Sequence, residues 1–205
     1  MTPATQFLST ITSLMEARAA IVTTLTIGRV NKQAREYAIQ GLYLVAIRSF
    51  EAFLEDQIYA LATEKVRWTS RSIGGGARVR WSNRLRENRH EFIKDMVLRG
   101  KDYTDYLPYE KTMEVAKLLF IGGRPFTLLP DPERQTLRRC TRVRNYIAHR
   151  SEFARRKFIN DYKGVKPLRV SNPKPIHYLD DQIRLGVTLF EHDLTQLAVI
   201  SKILS

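Results

Sequence analysis

Apolar side chains in this chain recur at three- and four-residue steps, the spacing that places them on one face of an α-helix. Phe7, Leu8, Ile11, Leu14, Met15, Val22 and Leu25 predict a first amphipathic helix from about Thr5 to Ile27. Beyond Gly28, one stripe made of Leu42, Val45, Ala46, Ser49, Phe50, Phe53, Leu54, Ile58 and Leu61 predicts a second helix from Asn31 to about Val66. Helical spacing returns from Leu85 to Leu98 and from Tyr109 to Phe120. Gly122, Gly123 and Pro125 then interrupt it, and Asp131 is expected to cap a further helix that carries Pro132 at its first position and runs to the neighbourhood of His149. A short helix over Ser151 to Tyr162 and a last one from Leu179 to Leu204, with Pro167, Pro173 and Pro175 between them, complete the set.

Period-two alternation is weak throughout, with only short stretches at Arg78 to Trp81 and Val165 to Val170 hinting at strands. The expectation is therefore an all-α, up-and-down helical bundle forming a single domain over residues 1–205. The clearest break is Arg67 to Asn83, where Gly74, Gly75 and Gly76 sit among Arg67, Arg71, Arg78, Arg80 and Arg84 with Trp68 and Trp81, so a basic loop inserted in the bundle is predicted.

Composition narrows the function classes. A hydrophobic fraction of 43% and a charged fraction of 27% are those of a globular chain, not of a disordered or low-complexity one. One cysteine, Cys140, excludes an internal disulfide and a cysteine-rich zinc site, and fits a reducing, cytoplasmic setting. The N-terminal residues lack the pattern of a signal peptide, and the apolar stretch Leu42 to Ile47 is cut by Arg48, so no membrane association is expected.

The net charge of +13 is unevenly distributed. Residues 65–101 hold 11 basic and 3 acidic side chains, residues 134–169 hold 12 and 2, and the remainder is net acidic. Such local excess favours a polyanionic partner, although arginine-rich helix faces can also be merely solvated.

The second basic segment contains the candidate chemistry. At 100° per residue, Arg138, Arg142, Asn145 and His149 share one narrow sector, while Leu137, Cys140, Thr141, Ile147 and Ala148 define an apolar face. Arg144 falls on that apolar face, where a guanidinium needs an anion, a polar partner such as Glu51 or Glu55, or a path to the surface. His149 at the helix end serves equally well as a cap of the last carbonyls or as a proton-transfer group.

Arg144-Asn145-Tyr146-Ile147-Ala148-His149, within the stretch VRNYIAHR, resembles the R-N-x-x-x-H signature of the HEPN superfamily, the nucleotide-binding helical bundles of higher eukaryotes and prokaryotes, in particular its RiboL-PSP- and MAE-like families. Ser49 to Ala60 is similar to the helix that packs beside the motif helix in prokaryotic members. The resemblance implies a HEPN-like bundle with metal-independent endoribonuclease activity and no cofactor. It also implies a homodimer whose two motif helices build one composite RNA site, and products with 2′,3′-cyclic phosphate and 5′-hydroxyl ends. Arg144 would then stabilise the extra charge on a pentacovalent phosphate and His149 would move a proton, with Asn145 orienting the imidazole or a phosphate oxygen. Arg138, Arg142, Arg150, Arg80 and Trp81 are the expected RNA contacts, the arginines for phosphates and the tryptophan for stacking or for anchoring its loop. Stand-alone members of this kind imply a toxin–antitoxin or anti-phage effector, with an antitoxin or defence-system protein as a further partner.

Arg144 and His149 lie about 140° apart on an ideal helix, so one helix does not aim both at one phosphate; a two-fold dimer, or a helix that ends before His149, resolves this. The alternative is a non-catalytic module of the same shape that binds RNA, a nucleotide or a protein. Other classes find less support. There is no helix-turn-helix pair, basic zipper or zinc-ligand set for DNA, no P-loop or G-x-G-x-x-G, and His90, His149, His177 and His192 form no H-x-x-x-H pair for a metal.

Overall fold

The computed structural model describes residues 1–25, 29–63, 69–70, 75–76, 89–98, 105–165, 167 and 171–205. The chain is an all-α helical bundle. Its elements are α1 (Pro3–Thr24), α2 (Arg29–Ala62), β1 (Thr69–Ser70), β2 (Gly75–Gly76), α3 (Arg89–Leu98), α4 (Tyr109–Leu119), α5 (Asp131–His149), α6 (Glu152–Val165), α7 (Pro175–Leu179), β3 (Gln182–Arg184), β4 (Val187–Thr188) and α8 (Leu189–Ile203). Two short antiparallel pairs, β1 with β2 and β3 with β4, are the strand structure of the described residues. No helix among these residues is long and apolar enough to cross a membrane.

The long helices follow from their stripes. Thr2 accepts a hydrogen bond from the Thr5 amide and Pro3 occupies the first turn, so α1 starts where its orphan amides are satisfied. Its core face of Phe7, Ile11 and Leu14 packs along α2, where Phe7 lies 5.4 Å from the Phe50 ring and 5.5 Å from that of Phe53. Removing each such side chain from water contributes about 1.5–3 kcal/mol, the term that holds an amphipathic helix in place. Arg18 continues the same stripe, is 7% exposed, and binds Glu191 of α8 and Asp180, which also accepts from Arg35 of α2.

Several boundaries depart from expectation. Val45, placed on the core stripe of the second helix, is 50% exposed, because it lies about 140° around α2 from Phe50 and so opposite the face that Tyr43, Phe50 and Leu54 bury. Asp131 is the first helical residue of α5, not its cap, which falls at Pro130, and its carboxylate pairs with Arg134 one turn on. The predicted final helix from Leu179 is broken. α7 ends at Leu179, the chain turns through Gly186 at φ 77° in the β3–β4 hairpin, exposing Ile183, and α8 begins afresh after Thr188. Thr188 and Glu191 form a reciprocal capping box that fixes this start. Of the two stretches that hinted at strands, Arg78 to Trp81 lies outside the described residues, and Val165 is the last residue of α6.

Around α5 the core is polar as well as apolar. The carboxylate of Asp193 in α8 is fully buried and accepts from Arg139 of α5, Tyr43 of α2 and Tyr178 of α7, each at 2.8 Å. The Arg139 Nε donates to the Tyr178 hydroxyl at 2.8 Å, closing the ring. Four helices thus meet at one carboxylate whose two oxygens are both hydrogen-bonded, the condition under which a buried charge is tolerated. Burial, reinforced by Asp193, pushes the Tyr43 and Tyr178 phenols far above their ordinary value, so both remain donors at any physiological pH. Cys140 is buried beside them with its thiol pushed up by burial, which makes it a packing residue and not a nucleophile. Replacing Arg139 with alanine leaves Asp193 buried without its cation and is expected to lower the unfolding free energy by about 3–5 kcal/mol. Urea denaturation of Arg139→Ala beside Tyr43→Phe, which loses one neutral donor to the carboxylate and about 1.5–3 kcal/mol, checks the ranking.

Candidate functional site

α5 delivers the candidate residues to the surface in two directions. Arg138, Arg142, Asn145 and His149 line one groove of about 470 Å³ between α5, the start of α4 and the first half of α6. Pro108 and Glu110 supply the α4 wall; Ser151, Phe153, Ala154 and Lys157 supply the α6 wall. The narrow sector read from the helical periodicity is thus a single wall of one groove. Arg150 lies elsewhere, in a second groove of about 540 Å³ bordered by α2 and α7. Arg80 and Trp81, with Trp68 and the other arginines of the predicted basic loop, lie outside the described residues.

Within the first groove, two of the expected phosphate-binding arginines already hold carboxylates. Arg138 donates to Glu110 at 2.9 Å, and Arg142 pairs with Asp161 of α6. The Arg138 hydrogen bond holds the Glu110 carboxyl below the ordinary carboxylate range against the opposing effect of desolvation. An incoming anion therefore competes with Glu110 for Arg138 and with Asp161 for Arg142.

Arg144 is half-buried at the edge of the apolar face, and Ala148 beside it is exposed, because the helix end projects past the core that covers Leu137, Cys140 and Ile147. Its guanidinium finds neither Glu51 nor Glu55. It donates from Nη1 to Asn145 Oδ1 at 2.9 Å. This contact carries a positive charge from the apolar side of the helix to the residue that opens on the groove, and Asn145 thereby links Arg144 to the face of His149. His149 is exposed at the last helical position.

Glu51, one of the partners considered for Arg144, serves the backbone instead. One carboxylate oxygen accepts the backbone amides of Tyr106 at 3.2 Å and Leu107 at 3.4 Å, while the other stands 4.0 Å from Arg48. It ties the chain entering α4, and hence the Pro108 wall of the groove, to α2.

The chain leaves α5 through Arg150 in the left-handed region, at φ 50° and ψ 20°, a conformation that costs a non-glycine residue about 1–2 kcal/mol. Ser151 then caps α6 by accepting from the Ala154 amide. This two-residue corner swings α6 back along α5 and sets Phe153 and Lys157 opposite Asn145 and His149. Phe153 is 61% exposed, and the Lys157 ammonium stands 4.2 Å from its ring centroid. Neither was singled out from the sequence, yet the signal was present. Phe153 falls outside the Ala154, Phe158, Tyr162 stripe that buries α6.

No protein-family model matches the chain, and comparison with curated proteins and with solved structures returned no match.

The role of Glu51 yields a stability prediction. Glu51→Ala leaves two half-buried amides without an acceptor and is expected to cost about 1–3 kcal/mol, whereas Glu51→Gln keeps a carbonyl acceptor and recovers most of that loss. Denaturant unfolding of the two variants measures the difference.

Proposed function

We propose that this chain is a metal-independent endoribonuclease of HEPN type, an effector of a toxin–antitoxin or anti-phage defence system. The supporting observation is the Arg144–Asn145 hydrogen bond at 2.9 Å beside a groove that Asn145 and His149 share. It couples Arg144 to Asn145, about 100° around an ideal helix from it, and Asn145 shares its face with His149. Arg138, Arg142, His149 and Lys157 are set along a groove whose lining surface is otherwise largely apolar, and Phe153 offers an exposed aromatic face to an unpaired base.

The proposed reaction uses the RNA 2′-hydroxyl as nucleophile. Its proton passes to a general base as the oxygen attacks the adjacent phosphorus, and the bond from phosphorus to the 5′-oxygen breaks with protonation of the leaving oxygen. His149 supplies one of these proton transfers. The Arg144 guanidinium stabilises the additional charge on the phosphoryl oxygens, with Asn145 holding it in place. In a two-fold homodimer, two α5 C-terminal ends meet, and one protomer gives the base while its partner gives the acid. An antitoxin that occupies the groove would keep such an enzyme silent.

A second reading draws on the pairing of Arg138 with Glu110 and of Arg142 with Asp161. Two neutralised arginines weaken the attraction for phosphate and favour a non-catalytic module that binds RNA, a nucleotide or a protein partner.

A labelled single-stranded RNA incubated with the protein in EDTA separates the two. The nuclease reading predicts products with 2′,3′-cyclic phosphate ends and rate losses of about a hundredfold or more in Arg144→Ala and His149→Ala, both matched to the parent for folding and association state. Cleavage that survives both substitutions, or that requires a divalent cation, overturns it. Binding without cleavage selects the module.

A further inference from the structure

The second groove, between α2, the end of α5 and the start of α7, has no part in the chemistry above. It begins where the first one ends. Within the last turn of α5, Asn145 and His149 face the α4–α6 side, whereas Tyr146, Ile147 and Arg150 face the α2–α7 side. The helix end is a ridge about one helix wide between two grooves, and Arg150 crosses to the far side through its left-handed backbone.

The lining of this groove has the chemistry of a nucleotide site. Lys32, Arg150 and Lys174 converge on it against the single carboxylate of Glu36. Tyr37 is 52% exposed at its mouth, and the Arg150 guanidinium lies 5.9 Å from the centroid of that ring. Hydrogen bonding from Gln33 and Arg150, together with the Arg150 charge, draws the Tyr37 phenol below its ordinary value. An exposed aromatic ring beside a guanidinium plane, with two lysines around it, offers one surface for a base and several donors for phosphate. The volume of about 540 Å³ accommodates a nucleotide-sized ligand.

We propose that this groove binds a nucleotide of single-stranded RNA that flanks the one at the Asn145–His149 groove, its base stacked on Tyr37 and its phosphate held by Arg150, Lys32 and Lys174. The proposal rests on the ribonuclease reading and extends it. The substrate strand crosses the end of α5, so the phosphate over the ridge is the one presented to His149. Arg150 then has a reason to occupy a conformation that glycine would adopt without strain.

The test is fluorescence anisotropy with a labelled single-stranded 2′-O-methyl oligoribonucleotide, which lacks the nucleophile and stays intact. The parent protein is compared with Tyr37→Ala, Tyr37→Phe, Arg150→Gly and Lys174→Ala over a range of salt concentrations. Tyr37→Ala is expected to weaken binding about tenfold, while Tyr37→Phe keeps the affinity. Arg150→Gly and Lys174→Ala are each expected to reduce the salt slope by about one phosphate contact, and Arg150→Gly to do so with an unchanged or higher melting temperature. Parent-like affinity and salt slope in Tyr37→Ala, Arg150→Gly and Lys174→Ala would overturn the flanking site and leave the ribonuclease reading standing. A parent protein that binds no oligonucleotide would overturn both.

Discussion

The buried carboxylate of Asp193 is the constraint around which this bundle is arranged. A charge fully withdrawn from water costs several kcal/mol unless it is paired and hydrogen-bonded, and here the pairing requires α2, α5, α7 and α8 to arrive together. Arg139 and Tyr178 also bond each other, so the position of any one helix is checked by the others. Apolar packing such as that of Phe7 on Phe50 and Phe53 supplies bulk stabilisation without direction. The polar ring supplies the direction, by fixing how far α5 is rotated about its own axis.

That rotation decides what α5 shows to solvent. With Arg139 turned toward Asp193, Arg138, about 100° around the helix, and Arg142, about 60° around it on the same side, face α4 and α6, and Asn145 and His149 follow them along the same wall. Glu51 sets the opposite wall by holding the amides of Tyr106 and Leu107. Arg150 and Ser151 then reverse the chain in two residues and bring Phe153 and Lys157 across from the motif. The groove is consequently a product of one buried ion pair and one carboxylate holding backbone, both away from the residues proposed to do chemistry, and of one strained corner that directly follows His149.

Much of this was legible in the sequence, and the losses have physical causes. Helical stripes report burial against any neighbour, which is why α1, α2 and α5 stood out and why four residues of α5 were correctly placed on one wall. They do not report which neighbour. Arg139 and Asp193 are 54 residues apart, Arg18 and Glu191 are 173 apart, and no local pattern marks a charged residue as a core partner. The same limit left the partner of Arg144 open between an anion, a glutamate such as Glu51 or Glu55 and the surface, when its hydrogen bond goes to the adjacent Asn145. Other misses were avoidable. Thr188-Leu189-Phe190-Glu191 spells a capping box that marks the start of α8, and Gly186 before it permits the hairpin that separates α8 from α7. The division of the α5 end into two grooves depends on the left-handed turn at Arg150, which arginine seldom signals.

The most direct measurement is where RNA touches the protein. Photo-cross-linking of a single-stranded RNA carrying 4-thiouridine, followed by peptide mapping, locates that contact without relying on any substitution. Cross-links in the last two turns of α5 and the first half of α6, centred on residues 142–157 and competed away by unlabelled RNA, are the expected result. Cross-links confined to the outer face of α1 or α8, with the α5–α6 corner unmodified, would contradict the assignment of this groove to RNA.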